Sequence, residues 1–170
     1  MLKNILESKK GLSPVIATVI LVAVTIVVVI SVAYWMGSLS GAYTRFESVE
    51  IQTAYSTKVS AFSAGPFAGS QGWIVTFGLK NTGSADATVD GLFLNGKPLD
   101  SFASVAVYYN GVYYQVQAMN ATIISGAAAN LDVYIVEGLD NGITFVSGLR
   151  LDAKFHTAAG KEYPKLVQLV

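Results

Sequence analysis

The residues of this chain with the most definite chemistry are those on which a reaction is performed: Lys9-Lys10-Gly11-Leu12-Ser13-Pro14. A basic pair and a glycine standing directly before an uncharged run present a bond that a peptidase at the inner membrane face can cut while the apolar part stays with the product. An ordinary secretory signal does the reverse and loses its apolar part. Residues able to carry out catalysis are scarce. His156 is the one histidine, and its place in an alternating strand pattern puts it on an outward, charged face. It would have to serve as base for any serine nucleophile, and no Gly-x-Ser-x-Gly elbow accompanies it. Asp86, Asp90, Asp132, Asp140 and Asp152 could offer oxygen to calcium, but their spacing is not that of an EF-hand loop and they fall beside turns or on outward strand positions. The chain has no cysteine, so disulfides, thiolate metal sites and cysteine nucleophiles are excluded. No enzyme activity, no metal and no cofactor is expected.

The elements that carry these residues follow from composition. Of 170 residues, 52% are hydrophobic and 13% charged, with eleven basic and eleven acidic side chains. A zero net charge argues against a nucleic-acid partner, which needs a basic face. From Gly11 to Thr44 there is no charge at all. As a helix, Pro14–Met36 reaches about 34 Å, enough for a hydrocarbon core of about 30 Å. Its Val and Ile content disfavours a helix in water. In lipid, however, a lone strand would leave its backbone unpaired, so helix is the expected form. Ser13 suits the N-cap and Pro14 the first helical position. Tyr34 and Trp35 mark the outer interface. Lys3, Lys9 and Lys10 precede the span and Arg45 is the first charge after it, which places the amino end in the cytoplasm and everything beyond about residue 40 outside. Gly37-Ser-Leu-Ser-Gly41 reads as a flexible joint, with close helix contact as the alternative.

The segment Lys10-Gly-Leu-Ser-Pro-Val-Ile-Ala-Thr-Val-Ile-Leu21 resembles the amino terminus of archaeal type IV pilins. The resemblance covers roughly residues 9–36, where leader, Ser-Pro pair and apolar run occur together. It implies a leader, residues 1–11, removed by a membrane-embedded prepilin peptidase between Gly11 and Leu12. It also implies a hydrophobic helix over 12–45 that first spans the membrane and then packs with its copies in a filament core. Pro14, Val15, Ile16, Val19, Ile20, Val24 and Val28 would line that core. The implied partners are copies of the chain itself, the peptidase, and a pilus assembly ATPase with its membrane platform. Bacterial type IV pilins usually carry glutamate at the fifth mature position, thought to pair with a neighbour's amino terminus. Here Ile16 stands there, so register would come from shape and apolar packing, with almost no dependence on salt.

Residues 46–170 read as an extracellular β domain. Asn110-Gly111 between alternating runs is a strong hairpin signal. It pairs Tyr109 with Val112, Val107 with Tyr114 and Val105 with Val116, leaving Ala106, Tyr108, Tyr113, Gln115 and Gln117 on the other face. Trp73, Val75, Phe77 and Leu79 alternate with polar or small residues, as do Leu149, Leu151, Ala153 and Phe155; Leu131, Val133 and Ile135 form a third inward set. Turns are signalled at Asn81-Thr-Gly83, Asn95-Gly96, Asp140-Asn-Gly142 and Ala159-Gly160, and loops at 63–72 and 125–129. The expected fold is a long N-terminal α-helix followed by an antiparallel, immunoglobulin-like β-sandwich. The outward tyrosines Tyr108 and Tyr113 would be covered by a neighbouring subunit or would make an adhesive contact to a surface or glycan. Asn120-Ala-Thr122 is an N-glycosylation sequon.

Two readings compete with a pilus-like adhesion filament subunit. One is an archaellin or surface-anchored binding subunit exported by the same route, although archaellins usually lack Ser-Pro after the processing glycine. The other is an ordinary secreted or single-pass β domain, for which Ser31-Val-Ala33 offers small residues for signal cleavage. Its apolar run is longer than the usual 7–15 residues of such signals.

Overall fold

The computed structural model describes residues 14–115 and 119–170. Gly11, Leu12 and the N-cap Ser13 lie outside the described residues, as do Val116, the expected partner of Val105, and Gln117. Helix α1 spans Pro14–Tyr43. Its three interior hydroxyl residues below Tyr34 all bond back to the helix: Thr18 Oγ1 donates to Val15 O at 2.8 Å, Thr25 Oγ1 to Val22 O at 2.8 Å, and Ser31 Oγ to Val27 O at 2.7 Å. None of these three hydroxyls is thus left facing an apolar environment, where an unmade bond is costly. The expected joint at Gly37–Gly41 is instead continuous helix. Two helical glycines cost about 1 kcal/mol each relative to alanine, a loss the uninterrupted backbone ladder absorbs. Thr44 closes the end by donating from its N–H to Ser40 O at 3.2 Å.

Residues Arg45–Val170 form a separate unit of antiparallel strands. The first sheet contains β1 (Val49–Val59), β2 (Gly72–Asn81), β5 (Val105–Tyr109), β6 (Val112–Tyr114) and β8 (Ala128–Val136), in the order β1-β2-β8-β5-β6. The second contains β3 (Ala87–Leu94), β4 (Lys97–Pro98), β11 (Arg150–Thr157) and β12 (Glu162–Gln168), in the order β12-β11-β3-β4, with β7 (Ala121–Ile123) also paired to β3. A small hairpin joins β9 (Gly138–Asp140) to β10 (Ile143–Phe145). The architecture of one N-terminal helix and an all-β unit is the one the sequence predicts.

Alternation explains the core. Trp73, Val75, Phe77 and Leu79 of β2, Leu131, Val133 and Ile135 of β8, and Leu151, Ala153 and Phe155 of β11 are all buried in one hydrophobic cluster between the sheets. Phe77 and Phe155 meet edge to face across it, 5.0 Å between centroids. A ring edge on a ring face adds a directional term to the area burial. The hairpin register is as read: Tyr109 faces Val112 and Val107 faces Tyr114. Asn110 and Gly111 both take positive φ, 47° and 89°, the backbone of a type I′ turn. Asn95-Gly96 and Asn141-Gly142 repeat it. Along one side, β1 and β12 tie the sheets together: Ser56 Oγ donates to Gln168 O at 2.7 Å and accepts from Val170 N at 3.1 Å.

The unit's first residues are clamped by a device that turn signals alone do not reveal. Asn81 is fully buried. Its Nδ2 donates to Ala85 O at 2.8 Å and Ile123 O at 2.9 Å, and its Oδ1 accepts from Gly83 N at 2.9 Å. The loop so fixed donates from Ser84 N and Ala85 N to Phe46 O. Phe46 N in turn donates to Ser84 Oγ at 3.1 Å. A Cβ on Gly83 would lie 2.4 Å from Phe46 O and 2.6 Å from Ser48 N, both backbone, so no larger residue fits without moving the chain. Asn81→Ala strands two carbonyls and one N–H, and is expected to cost about 2–4 kcal/mol. A denaturant titration of the detergent-solubilised chain, followed by Trp73 fluorescence, measures it; a shift below about 0.5 kcal/mol would remove this role from Asn81.

Candidate functional site

The site with the plainest physical demand is the surface of α1. Val15, Ile16, Val19, Ile20, Val24 and Val28 are each exposed by half or more, and Pro14 is exposed as well. Leu21, Val27, Val29 and Ile30 are exposed to the same degree. The residues singled out from sequence are therefore part of an apolar surface that runs around the whole helix rather than a stripe. Within Pro14–Gly41 mean hydropathy reaches 3.2, and among the described residues none of that window is buried. Covering a Val or Ile side chain is worth about 1.5–3 kcal/mol. The two lysine–carboxylate pairs on the β unit, Lys58–Glu137 at 3.2 Å and Lys154–Glu162 at 3.0 Å, are surface pairs worth at most about 1 kcal/mol each. The apolar surface thus dominates what this chain can bind. Its length and composition suit a bilayer or a bundle of like helices.

On the β unit, the candidate chemical residues are engaged in structure. The expectation that His156 is a freely exposed strand residue needs correction. It is half-buried, and its Nδ1 sits 2.7 Å from Asp90 Oδ1. The β11–β3 register shifts between His156 and Thr157, and that irregularity sets Asp90 beside the ring, which no local pattern encodes. Asp86 accepts from Ser125 N at 2.9 Å, Asp140 from Ser104 N at 2.7 Å and Asp132 from Thr76 Oγ1 at 2.7 Å. These carboxylates pin loops and neighbouring strands. Among the described residues, no three His, Asp or Glu side chains converge as a metal site. Asn120 is exposed at the entry to β7, and Thr122 is exposed with its Oγ1 2.9 Å from Thr88 Oγ1.

The tyrosines Tyr108 and Tyr113 stand on the outer face of the first sheet, yet this chain packs against them itself. Their rings lie 4.8 Å apart, and Tyr134 joins them at 5.4 Å from Tyr113. Phe62, from the loop 60–71, packs on Tyr134 at 5.3 Å and is buried. Ala106 is buried as well, although alternation alone assigns it to the outward face. Burial and the hydrogen bond with Tyr113 push the Tyr134 hydroxyl up to about 12, with the nearby tyrosines and Asp132 adding to the effect. Because the folded state holds this proton above the ordinary value of 10.0, its contribution is intact below pH 10 and is lost as pH rises towards 12. Absorbance titration is expected to show a tyrosine ionising near pH 12 that Tyr134→Phe removes. The variant should also lose less stability between pH 10 and 12; equal alkaline sensitivity in the two proteins would contradict this assignment.

No family model matches the chain, and no curated protein sequence matches it. Among solved structures it is similar to the archaellum periplasmic stator protein FlaG from Sulfolobus acidocaldarius, at 14% identity and a TM-score of 0.37, over 71% of this chain and 99% of that one. It is also similar to the Iho670 flagellar-like filament, at 12% identity and a TM-score of 0.36, over 92% of this chain and 98% of that one. Scores of this size are too low to transfer a role.

Proposed function

We propose that this chain is a structural subunit of an archaeal type IV pilus-like adhesion filament, without catalysis of its own. One observation carries the reading. A helix of thirty residues, Pro14–Tyr43, is apolar on every side and finds no cover among the described residues, and it stands directly behind the Lys-Lys-Gly junction. In this reading the chain is inserted in the membrane as a precursor. A prepilin peptidase cuts between Gly11 and Leu12, and an assembly ATPase with its membrane platform moves the subunit into a growing polymer. The helices exchange lipid for one another, so apolar cover is kept throughout. The β units form the outer surface outside the cell, with Asn120 available for N-linked sugar. Strand order supports an immunoglobulin-like assignment of that unit. The run β1-β2-β8-β5 corresponds to an ABED sheet, and β12-β11-β3-β4 to a GFC sheet with one added strand.

Terminal sequencing of protein from the native cell surface tests the processing step. Leu12 is the expected first residue; an uncut Met1 or a start at Tyr34 would end the prepilin reading. Gly11 replaced by a bulky residue is expected to leave uncut precursor in the membrane. Electron microscopy tests assembly. Val24→Lys places a charge in the dry core, at a cost of several kcal/mol per subunit, and is expected to abolish filaments while the β unit still folds. Filaments of normal yield from that variant would rule out a packed apolar core.

A further inference from the structure

We propose that the outer face of the first sheet is a binding platform for a neutral polysaccharide chain. The register places one straight row across all five strands. Tyr55 lies opposite Thr76, Thr76 opposite Asp132, Asp132 opposite Tyr108, and Tyr108 opposite Tyr113. These residues point away from the core, because their strand neighbours Val75, Phe77, Leu131, Val133 and Val107 are buried in it. With strands about 4.8 Å apart, Tyr55 and Tyr108 stand about 14 Å from each other. A saccharide strand of a few units laid along the row would meet a ring at each end and hydrogen-bonding groups between.

The chemistry of the row suits a sugar. Tyrosine rings offer an electron-rich face to the C–H side of a pyranose and a hydroxyl to its rim. Tyr55 is 55% exposed, and Tyr108 and Tyr113 are held in place by each other and Tyr134. Gly65 closes on Tyr113 so tightly that a Cβ there would lie 2.6 Å from the ring. Ring positions set in advance lower the cost of binding. Asp132 is oriented by Thr76 Oγ1 at 2.7 Å, and a charged acceptor makes the stronger hydrogen bond to a sugar hydroxyl. Beside it runs a shorter row, Thr53, Gly78 and Asn130. Gly78 has no room for a side chain, because a Cβ there would lie 2.4 Å from Thr53 Oγ1 and 3.5 Å from Asn130 Oδ1, so these two polar groups close over it and extend the hydrogen-bonding surface.

Charge selects among partners. Asp132 is the one charged residue in these two rows, and Glu50 and Lys80 face each other at their edge. A nucleic acid or acidic polysaccharide meets the Asp132 carboxylate in the row itself and is repelled by it, while the one lysine at the edge, Lys80, stands opposite Glu50. A second copy docked face to face would bring two Asp132 carboxylates together, a desolvated like-charge contact. A neutral polysaccharide incurs neither cost.

This inference gives the adhesive part of the proposed function a target class. It is tested on unassembled chains, so it can fail while filaments still form. The full chain in detergent micelles is run in native gels cast with mannan, a soluble β-glucan or galactomannan, and with alginate as the acidic control. Retardation by at least one neutral polymer is expected, weakened about fivefold or more by Tyr55→Ala and by Asp132→Ala. Tyr55 is exposed, so near-ultraviolet circular dichroism of Tyr55→Ala should match the parent and separate lost binding from lost fold. The proposal is overturned by migration unchanged in all three neutral polymers, by retardation the two variants retain, or by alginate acting as strongly. Loss of self-association in Tyr55→Ala, with no effect on retardation, would assign the face to another copy of the chain.

Discussion

Everything about this chain turns on an apolar helical surface that the chain cannot cover. The hydrophobic residues of the core cluster satisfy one another between two sheets, whereas those of α1 are left exposed among the described residues. At about 25 cal/mol per Å² of apolar area, leaving such a surface in water is not an option, so the molecule is defined by what surrounds it. The helix is built for that state. Thr18, Thr25 and Ser31 return their hydroxyl protons to the helix's own carbonyls, and no charged side chain lies between Gly11 and Thr44. Lipid and a bundle of like helices are equivalent surroundings by this measure, and the proposed function has the chain pass from one to the other.

The β unit has the opposite task, to remain folded in water without disulfides and with little charge. It does so with a core shared by two sheets and with polar residues that serve as ties. Asn81, Asp86, Asp132 and Asp140 each bind backbone or a neighbouring strand. The clamp of Asn81 and Gly83 on residues 46–48 holds the point where this unit begins. Its outer sheet face combines tyrosine rings with hydrogen-bonding groups and a single central carboxylate, Asp132, a composition unlike either the charged face of β11 and β12 or the uniform apolarity of α1.

Much of this was legible from residue order, and the reason differs by element. Trp73, Val75, Phe77 and Leu79 announce a half-buried strand because a period of two is imposed by the pleat itself. Asn110-Gly111 announces its hairpin because few other residue pairs adopt two successive positive φ angles. The outer end of α1 was harder: Gly37 and Gly41 signal flexibility locally, but the helix runs through them to Tyr43. The short strands β4, β7, β9 and β10 carry no periodicity over two or three residues, and only their partners define them. Of the candidate site, the apolar run was readable residue by residue. The row from Tyr55 to Tyr113 was not, since it joins five strands whose row residues run from Tyr55 to Asp132 in the chain.

The sequence by itself determined the apolar helix, the basic pair and glycine that precede it, the all-β character of the rest and the inward residues of its longest strands. Each of these is written in neighbouring residues, where charge, period and turn chemistry act over a few bonds. Tertiary structure alone decided which strands lie side by side and that the loop 60–71 packs against Tyr113 and Tyr134. It also set His156 against Asp90 and gave Asn81 three backbone partners at once. Those outcomes depend on pairings between distant segments, whose stability comes from how two sheets share one core. A chain read in order contains the residues for such contacts but not the register that brings them together.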